Sequence, residues 1–214
     1  MKACCSVIPE ISARQRRVLR VVLGVNVAMF CLEAAAGLLA ASTALLADSA
    51  DMLGDALVYG VSLYAVGRGA GWQARAATLK GWVMAVFGVG VLVQAALKIA
   101  RGAVPEADVM GGVGLVALAA NAVCLLLLWR LRDDDVNMRS AWLCSRNDVT
   151  ANVGVLAAAG AVALTGSGWP DILVGLAIAA LFASSAVRVL RDARRVREAA
   201  ARQPAVRVPP LLNR

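Results

Sequence analysis

The sequence contains no histidine, and aromatic residues make up only 5% of its 214 residues. It also lacks a paired nucleophile and base, a phosphate-binding glycine loop and a cofactor fingerprint, which argues against an enzyme. No polar segment is long enough to bury a soluble core of its own, so a single domain is expected.

The 5 cysteines do not suggest a disulfide framework. Cys31, Cys124 and Cys144 fall within strongly apolar stretches, and Cys4 and Cys5 are adjacent near the start of the chain. Reduced thiols are therefore expected.

Apolar residues are in excess and account for 60% of the sequence, against about 45–50% in soluble domains. A membrane-spanning helix needs about 17–25 such residues. Runs of this length cover residues 18–40, 44–66, 81–101, 109–131, 141–164 and 171–191. The sequence thus predicts an all-α polytopic membrane protein, with an N-terminal segment at 1–17, six transmembrane helices within 18–191 and a basic tail at 192–214.

Basic residues are distributed unevenly between the connections. They are concentrated before the first run, between the second and third, between the fourth and fifth, and after the sixth, whereas Lys98 and Arg101 lie on the opposite side. Because cytoplasmic loops carry the excess of arginine and lysine, both termini are predicted to be cytoplasmic. The net charge of +8 is then mainly a topology signal. Its expected partner is anionic membrane lipid, and no nucleic acid is expected.

Three carboxylates interrupt the second apolar run. Asp48, Asp51 and Asp55 are spaced by three and four residues, which puts them on one face of a helix. A carboxylate at bilayer depth costs about 2.5–3.5 kcal/mol. Such a stripe is expected to persist only if its charge is compensated, and a bound cation would do so.

The fifth apolar run repeats the four-residue spacing with Cys144 and Asp148. Two helices that each present two ligands at this spacing can close a tetrahedral cage around a metal ion such as zinc. The sequence therefore predicts a metal site formed by Asp51, Asp55, Cys144 and Asp148.

Neither Asp148 nor Cys144 would by itself indicate a metal site. Asp148 could pair with Arg146 or accept hydrogen bonds from Asn and Ser side chains. Cys144 on its own is most often a small core residue. The matched spacing on two helices favours the metal site.

Four further polar residues are assigned to a second shell or vestibule: Asp48, Asn26, Glu33 and Asn147. Asp48 either attracts cations into an outer vestibule or caps the start of its helix. Glu33 and Asn26 either support the site or a gate, or hold helices together by hydrogen bonds.

Three segments resemble a known family. The run EAAAGLLAASTALLADSADMLGDAL is similar to the first-to-second helix signature of the cation diffusion facilitators, proton-coupled exporters of divalent metals. AWLCSRNDVTANVGVL resembles their fifth-helix signature, and WPDILVGLAIAALF the start of their sixth helix. The resemblance implies that Asp51, Asp55 and Asp148 occupy three of the four positions of the family's transport site.

The chain departs from the family pattern in three places. Cys144 stands where histidine is common, and this softer ligand is expected to shift relative affinity towards cadmium or mercury, although zinc still accepts sulfur. The connection at 67–80 offers no accessory metal ligands. The tail after the sixth run is too short and too charged to form the family's cytoplasmic domain.

If a homodimer forms, its interface is therefore expected to consist of membrane helices. Glycines allow helices to approach closely. The candidates are Gly88, Gly90, Gly111, Gly112 and Gly114, for which packing inside one protomer is the alternative.

Together these features predict an exporter of divalent metal cations in a bacterial inner membrane, with Zn²⁺ as the first choice and Cd²⁺, Hg²⁺ or Co²⁺ as alternatives. The four ligands carry more negative charge than one divalent ion cancels, so protons are expected to exchange for the metal. Inward proton flow would drive export by alternating access, as the resemblance implies. Cys4 and Cys5, on the entry side, either hand over metal or have no role.

Two other functions stay open. An exporter of small organic cations would use the carboxylates to neutralise an amine and would need an aromatic pocket. Its candidate residues are Tyr59, Tyr64, Phe30 and Phe87. A non-transporting subunit would bind metal without flux. The acidic run Asp133–Asp135 is another possible metal site, or a solvated loop.

Overall fold

A computed structural model describes residues 12–64, 70–134 and 136–202. These residues form α1 (Ala13–Leu39), α2 (Thr43–Tyr64), α3 (Ala70–Arg101), α4 (Ala107–Trp129), α5 (Val136–Thr165) and α6 (Trp169–Arg202). The predicted all-α fold is confirmed.

Within the described residues, four helical segments are long and apolar enough to cross a membrane: Ala13–Leu39, Gly81–Arg101, Ala107–Trp129 and Met138–Thr165. The apolar part of α6, Trp169–Ser184, is shorter, and α2 carries three aspartates. Large apolar side chains point outward on several helices, including Leu126 and Leu181. Long apolar helices with apolar outer surfaces indicate an integral membrane protein.

The helices extend beyond the apolar runs that predicted them. α1 begins at Ala13 because Ser12 caps it: the Ser12 hydroxyl accepts the N–H of Gln15, and the Gln15 side chain accepts the N–H of Ser12. α3 begins inside the predicted 67–80 connection, and α6 continues to Arg202, inside the predicted tail. Alanine, arginine and other strong helix formers fill both extensions. Hydropathy therefore locates a membrane span but not the ends of its helix.

α2 packs against several helices and not only against α1, its neighbour in the chain. α1 packs against α2, α4 against α5 and α3 against α6, while α2 also contacts α3, α5 and α6. One core cluster combines Ala44 and Ala47 of α2 with Ala158 of α5 and Ala179 of α6. Such small side chains let helices approach closely. The polar stripe of α2 is thereby placed against α5.

A buried polar junction lies where α2 and α6 begin. The carboxylate of Asp171 accepts hydrogen bonds from the Ser42 hydroxyl at 2.6 Å and from the N–H groups of Thr43 at 2.7 Å and Ala44 at 3.1 Å. It also accepts one from the Lys98 ammonium at 2.5 Å. We call these residues the Asp171 junction.

The junction joins four parts of the chain. Lys98, at the end of α3, also donates to the carbonyl of Ala41 in the turn between α1 and α2. The sequence groups Lys98 with Arg101 on the side opposite the basic connections, and in the structure its side chain is buried and forms an ion pair with Asp171. α6 reaches the junction because Gly175 has no side chain: a Cβ there would lie 2.7 Å from the Thr43 carbonyl carbon.

Candidate metal site

The aspartates of α2 face the inside of the bundle. Asp48 and Asp55 are buried, and Asp51 is half-buried. Tyr59 continues the same stripe by one turn, and its hydroxyl donates to Oδ2 of Asp55 at 3.1 Å. This hydrogen bond orients the Asp55 carboxylate. Because an ionised carboxylate has about four acceptor positions, it can bind a cation at the same time.

α5 presents a matching stripe. Cys144 is half-buried, Asp148 is buried, and Asn152, four residues further along, is completely buried. The spacing of four residues places all three on one face of the helix. Cys144 and Asp148 thus both face inward, as the predicted site requires.

The two stripes meet across the α2–α5 interface. The carboxyl group of Asp148 interacts electrostatically with that of Asp55 and, less strongly, with that of Asp51. The hydroxyl of Tyr59 is in electrostatic range of Asp55, Cys144 and Asp148. The structure therefore brings the four predicted ligands into one buried region of the bundle.

The four predicted ligands lie near each other but do not form a preassembled metal site. Across the three described ranges, no group of three or more histidine, cysteine or acidic side chains is gathered tightly enough to hold a metal ion. The four-residue ligand set stays a prediction.

Asp48 belongs to the contact between α2 and α5. Its Oδ2 accepts a hydrogen bond of 2.7 Å from the side-chain amide of Asn152, which also donates to the backbone carbonyl of Asp148 at 3.0 Å. The suggestion that Asp48 caps its helix is wrong. α2 begins at Thr43, and its first N–H groups are bound by the Asp171 junction instead.

The other second-shell candidates lie in different places. Glu33 and Asn26 are buried on the same face of α1, two turns apart. The side-chain amide of Asn26 donates to the Val22 carbonyl in its own helix. Asn147 is exposed, because one residue along a helix turns the side chain by about 100° away from Asp148. The structure does not bring Asn147 to the site.

The proposed pairing of Asp148 with Arg146 is absent from the described residues. Arg146 lies on the exposed side of α5, with its guanidinium 5.6 Å from the centre of the Trp142 ring. Residues two apart on a helix point in nearly opposite directions. The buried charge of Asp148 therefore faces the acidic stripe of α2.

The acidic run before α5 is a surface turn where it is described. Asp133 is exposed and pairs with Arg132 at 3.2 Å, and Asp134 accepts a hydrogen bond from Gln15. These contacts favour the solvated loop over a second metal site. Asp135, Cys4 and Cys5 lie outside the described residues.

Sequence reasoning missed the roles of Tyr59 and Asn152. Both were visible as polar residues, and each stands four residues after a predicted ligand, Asp55 and Asp148 respectively. Extending the two stripes by one turn would have included them. The Lys98–Asp171 pair had no comparable signal, because its partners are far apart in the chain.

Comparison with known proteins points in the same direction as the geometry. The model of the cation efflux transmembrane domain matches residues 19–196. The chain is 25% identical over 176 residues to the metal cation efflux system protein CzcD of Cupriavidus metallidurans. It is equally similar to the cation efflux system protein CzcD of an Alcaligenes species. Each alignment covers 75% of this chain and 56% of the relative, so the chain spans little more than half the length of these relatives. Because the family model covers most of the chain and every residue of the predicted site, the protein belongs to the cation efflux family, the cation diffusion facilitators.

Proposed function

We propose that the protein exports divalent heavy-metal cations from the cytoplasm and that Asp51, Asp55, Cys144 and Asp148 bind the ion. The observation that carries the proposal is the burial of Asp55 and Asp148 on two helices with their carboxyl groups in electrostatic range. Buried like charges repel unless protons neutralise them or a cation lies between them. Membership of the cation efflux family makes an exported cation the natural partner of these charges.

Binding draws the ligands of α2 and α5 together around the ion. Tetrahedral zinc requires metal–oxygen distances of about 2.0–2.2 Å and a metal–sulfur distance of about 2.3 Å, so the side chains must rotate inward from their present positions. Tyr59 holds Oδ2 of Asp55, so Oδ1 is the oxygen that contacts the metal in this proposal. The same hydrogen bond limits the rotations open to Asp55.

The ligand set determines which ions bind well. Three carboxylates suit zinc and cobalt, while the thiolate of Cys144 adds affinity for cadmium and mercury. We expect zinc to be transported, together with cadmium as a strong competitor. The name of one relative refers to metal cations and that of the other to cations, without naming an element.

All six helices cross the membrane in this proposal, with both termini in the cytoplasm of a bacterial inner membrane. α2 crosses despite its aspartates because they face α5 and not lipid. α6 crosses because its start is held by the Asp171 junction and its basic continuation begins only after Ser184. The excess of arginine and lysine in the connections that follow α2 and α4 supports this orientation.

Protons provide the driving force. Four anionic ligands around one divalent ion leave two uncompensated charges, so the empty site takes up protons and the loaded site releases them. Protons entering from outside then displace the metal after the site has turned outward. Alternating access of this kind needs one site shared by two groups of helices, and α2 and α5 supply it.

Open glycine surfaces support a homodimer through membrane helices. A Cβ at Gly114 would lie 3.1 Å from a leucine of α5, so this glycine packs inside the protomer. Added Cβ atoms at Gly88 and Gly90 of α3, and at Gly111 and Gly112 of α4, would have no described atom within 4 Å. These four positions are the proposed surfaces for a second copy.

Transport by purified protein in liposomes tests the function. Zinc or cadmium is supplied outside the liposomes, and both its uptake and the internal pH are recorded. Uptake should depend on Asp148, so Asp148→Asn should reduce flux to that of empty liposomes. Asp108→Asn is the matched control, because Asp108 is an exposed acid at the start of α4, and it should leave flux unchanged.

Two results would contradict the proposal. Undiminished flux in Asp148→Asn would remove this residue from the site. Metal binding without flux in the wild-type protein would instead identify a non-transporting metal-binding subunit.

A further inference from the structure

A second group of buried polar side chains lies beside the proposed ligands without belonging to them. Glu33 of α1, Asp48 of α2 and Asn152 of α5 have relative exposures of 0%, 1% and 0%. Four of their oxygens accept no hydrogen bond from any described residue: both carboxylate oxygens of Glu33, Oδ1 of Asp48 and Oδ1 of Asn152.

These three residues lie at the same level of the bundle. Glu33 is six residues before the end of α1, and Asp48 is five residues after the start of α2. The two helices are consecutive and pack against each other, so these positions face each other. The carboxyl group of Glu33 interacts electrostatically with that of Asp48, and Asn152 donates a hydrogen bond to Asp48.

Leaving these oxygens without a partner is costly. A buried polar group without a hydrogen bond costs roughly 1–3 kcal/mol in proteins, and a carboxylate costs more. Helix packing by hydrogen bonds was one of the roles left open for Glu33 by the sequence, but its oxygens accept no such bond in the described residues. A ligand that accepts electron pairs from oxygen would supply the missing partner.

We propose that Glu33, Asp48 and Asn152 form a second cation site, built from oxygen atoms only, which the exported metal ion occupies after leaving the site that contains Cys144. This inference rests on the proposed export function. It assigns the next position of the ion on its path, and it does not alter the four ligands proposed above.

The position of the second site fits an exit path. Asp48 lies three residues before Asp51 and seven residues before Asp55 on α2, which is about 4.5 Å and about 10 Å along the helix axis. In the proposed topology α2 begins at the outer side, so the second site is the outer one. Asn152 connects the two sites directly, because its amide contacts both the Asp48 carboxylate and the Asp148 carbonyl.

The chemistry of the second site favours release. Oxygen ligands suit hard cations and hold zinc or cadmium more weakly than a set that includes a thiolate. An ion that moves outward from the Cys144 site therefore enters a weaker site, from which water can remove it. Asn152 contributes no charge, so the outer site also carries less negative charge than the inner one.

Cadmium-113 NMR of the purified wild-type protein distinguishes the two sites, because sulfur and oxygen ligands give well-separated chemical shifts. At saturation we expect two signals, one from a sulfur-containing site and one from an oxygen-only site. Glu33→Gln and Asp48→Asn should each remove the oxygen-only signal and keep the other. Retention of the sulfur-containing signal also shows that the variant has folded.

The control variants separate this inference from the proposed function. Cys144→Ser should remove the sulfur-containing signal alone, and Asp108→Asn should keep both. If the wild type lacks the sulfur-containing signal, the four-ligand proposal fails. If it shows that signal alone, or if the oxygen-only signal survives both Glu33→Gln and Asp48→Asn, the second site is wrong.

Flux measurements test whether the second site lies on the path. Glu33→Gln should lower the maximal rate of cadmium transport at least about fivefold while the half-saturating concentration changes less than about twofold. Equal rates in variant and wild type would overturn the assignment. So would displacement of the oxygen-only cadmium by an equal concentration of Mg²⁺, which would mark a site for a different hard cation.

Discussion

Replacing Lys98 with methionine should cost less stability than replacing Asp171 with asparagine, although the two residues form one buried ion pair. Both side chains are almost completely buried, with exposures of 1% and 0%. The two costs in stability differ because the remaining charged group keeps different hydrogen bonds when its partner is replaced. The comparison therefore tests the geometry of the Asp171 junction, not the mere presence of an ion pair.

The stability cost of each substitution follows from the hydrogen bonds that remain in the variant. In Lys98→Met, the Asp171 carboxylate still accepts the Ser42 hydroxyl and two backbone N–H groups at the start of α2, where the helix dipole also favours an anion. The loss is one charged hydrogen bond, about 1.5–3 kcal/mol. In Asp171→Asn, the Lys98 ammonium keeps a carbonyl in the α1–α2 turn but loses its counter-charge, which costs about 3–5 kcal/mol.

Unfolding of the purified protein by SDS in mixed detergent micelles, followed by circular dichroism, measures these costs. A double variant, Lys98→Met with Asp171→Asn, should be more stable than Asp171→Asn alone, because it leaves no uncompensated charge, and the amide oxygen at position 171 can still accept hydrogen bonds from the start of α2. Arg101→Met serves as the control at the exposed end of α3 and should change the free energy of unfolding by less than about 0.5 kcal/mol.

The ranking is the decisive result. A cost for Lys98→Met equal to or greater than that for Asp171→Asn would show that Asp171 is not held by the start of α2. A double variant less stable than Asp171→Asn would show that the uncompensated Lys98 ammonium is not what destabilises the single variant.

Three further predictions concern packing and the metal site. Gly175→Ala should destabilise the protein by about 1–3 kcal/mol, since the new Cβ would lie 2.7 Å from the backbone of α2. Gly160→Ala, at an open position of α5, should not, and thermal unfolding of both variants decides. Cys144→His should raise the ratio of zinc to cadmium transport in a competition assay, and an unchanged ratio would remove Cys144 from the ligand set. Tyr59→Phe should weaken metal binding by about three- to tenfold, because it loses the hydrogen bond to Asp55, and isothermal titration measures the affinity. An unaltered affinity would show that this bond does not orient the carboxylate.

The inward direction of the candidate ligands was predictable because its information is local. Asp51 and Asp55 share one helical face by spacing alone, as do Cys144 and Asp148, and both faces point inward in the structure. Tyr59 was equally accessible to the same rule. The 3.6-residue period of a helix links spacing in sequence to direction in space, so an apolar run with periodic acids reveals its inward face.

Other assignments depended on contacts between distant segments. Asp48 could be read as a helix cap until the structure showed Asn152 against it. Lys98 was grouped with Arg101 by the distribution of basic residues, and its partner Asp171 became apparent only in the structure. Neither partner can be chosen from spacing, because many side chains of similar type are available across the other helices.

The sequence by itself determined that this protein is an all-α membrane protein with acidic and thiol groups on the inner faces of two helices, since hydropathy and helical period are properties of short segments. Only the tertiary structure decided which helices meet, and with that the burial of Glu33 against Asp48 and of Lys98 against Asp171. The physical reason is that the cost of a buried charge depends on its neighbours, and those neighbours come from parts of the chain that no local pattern connects.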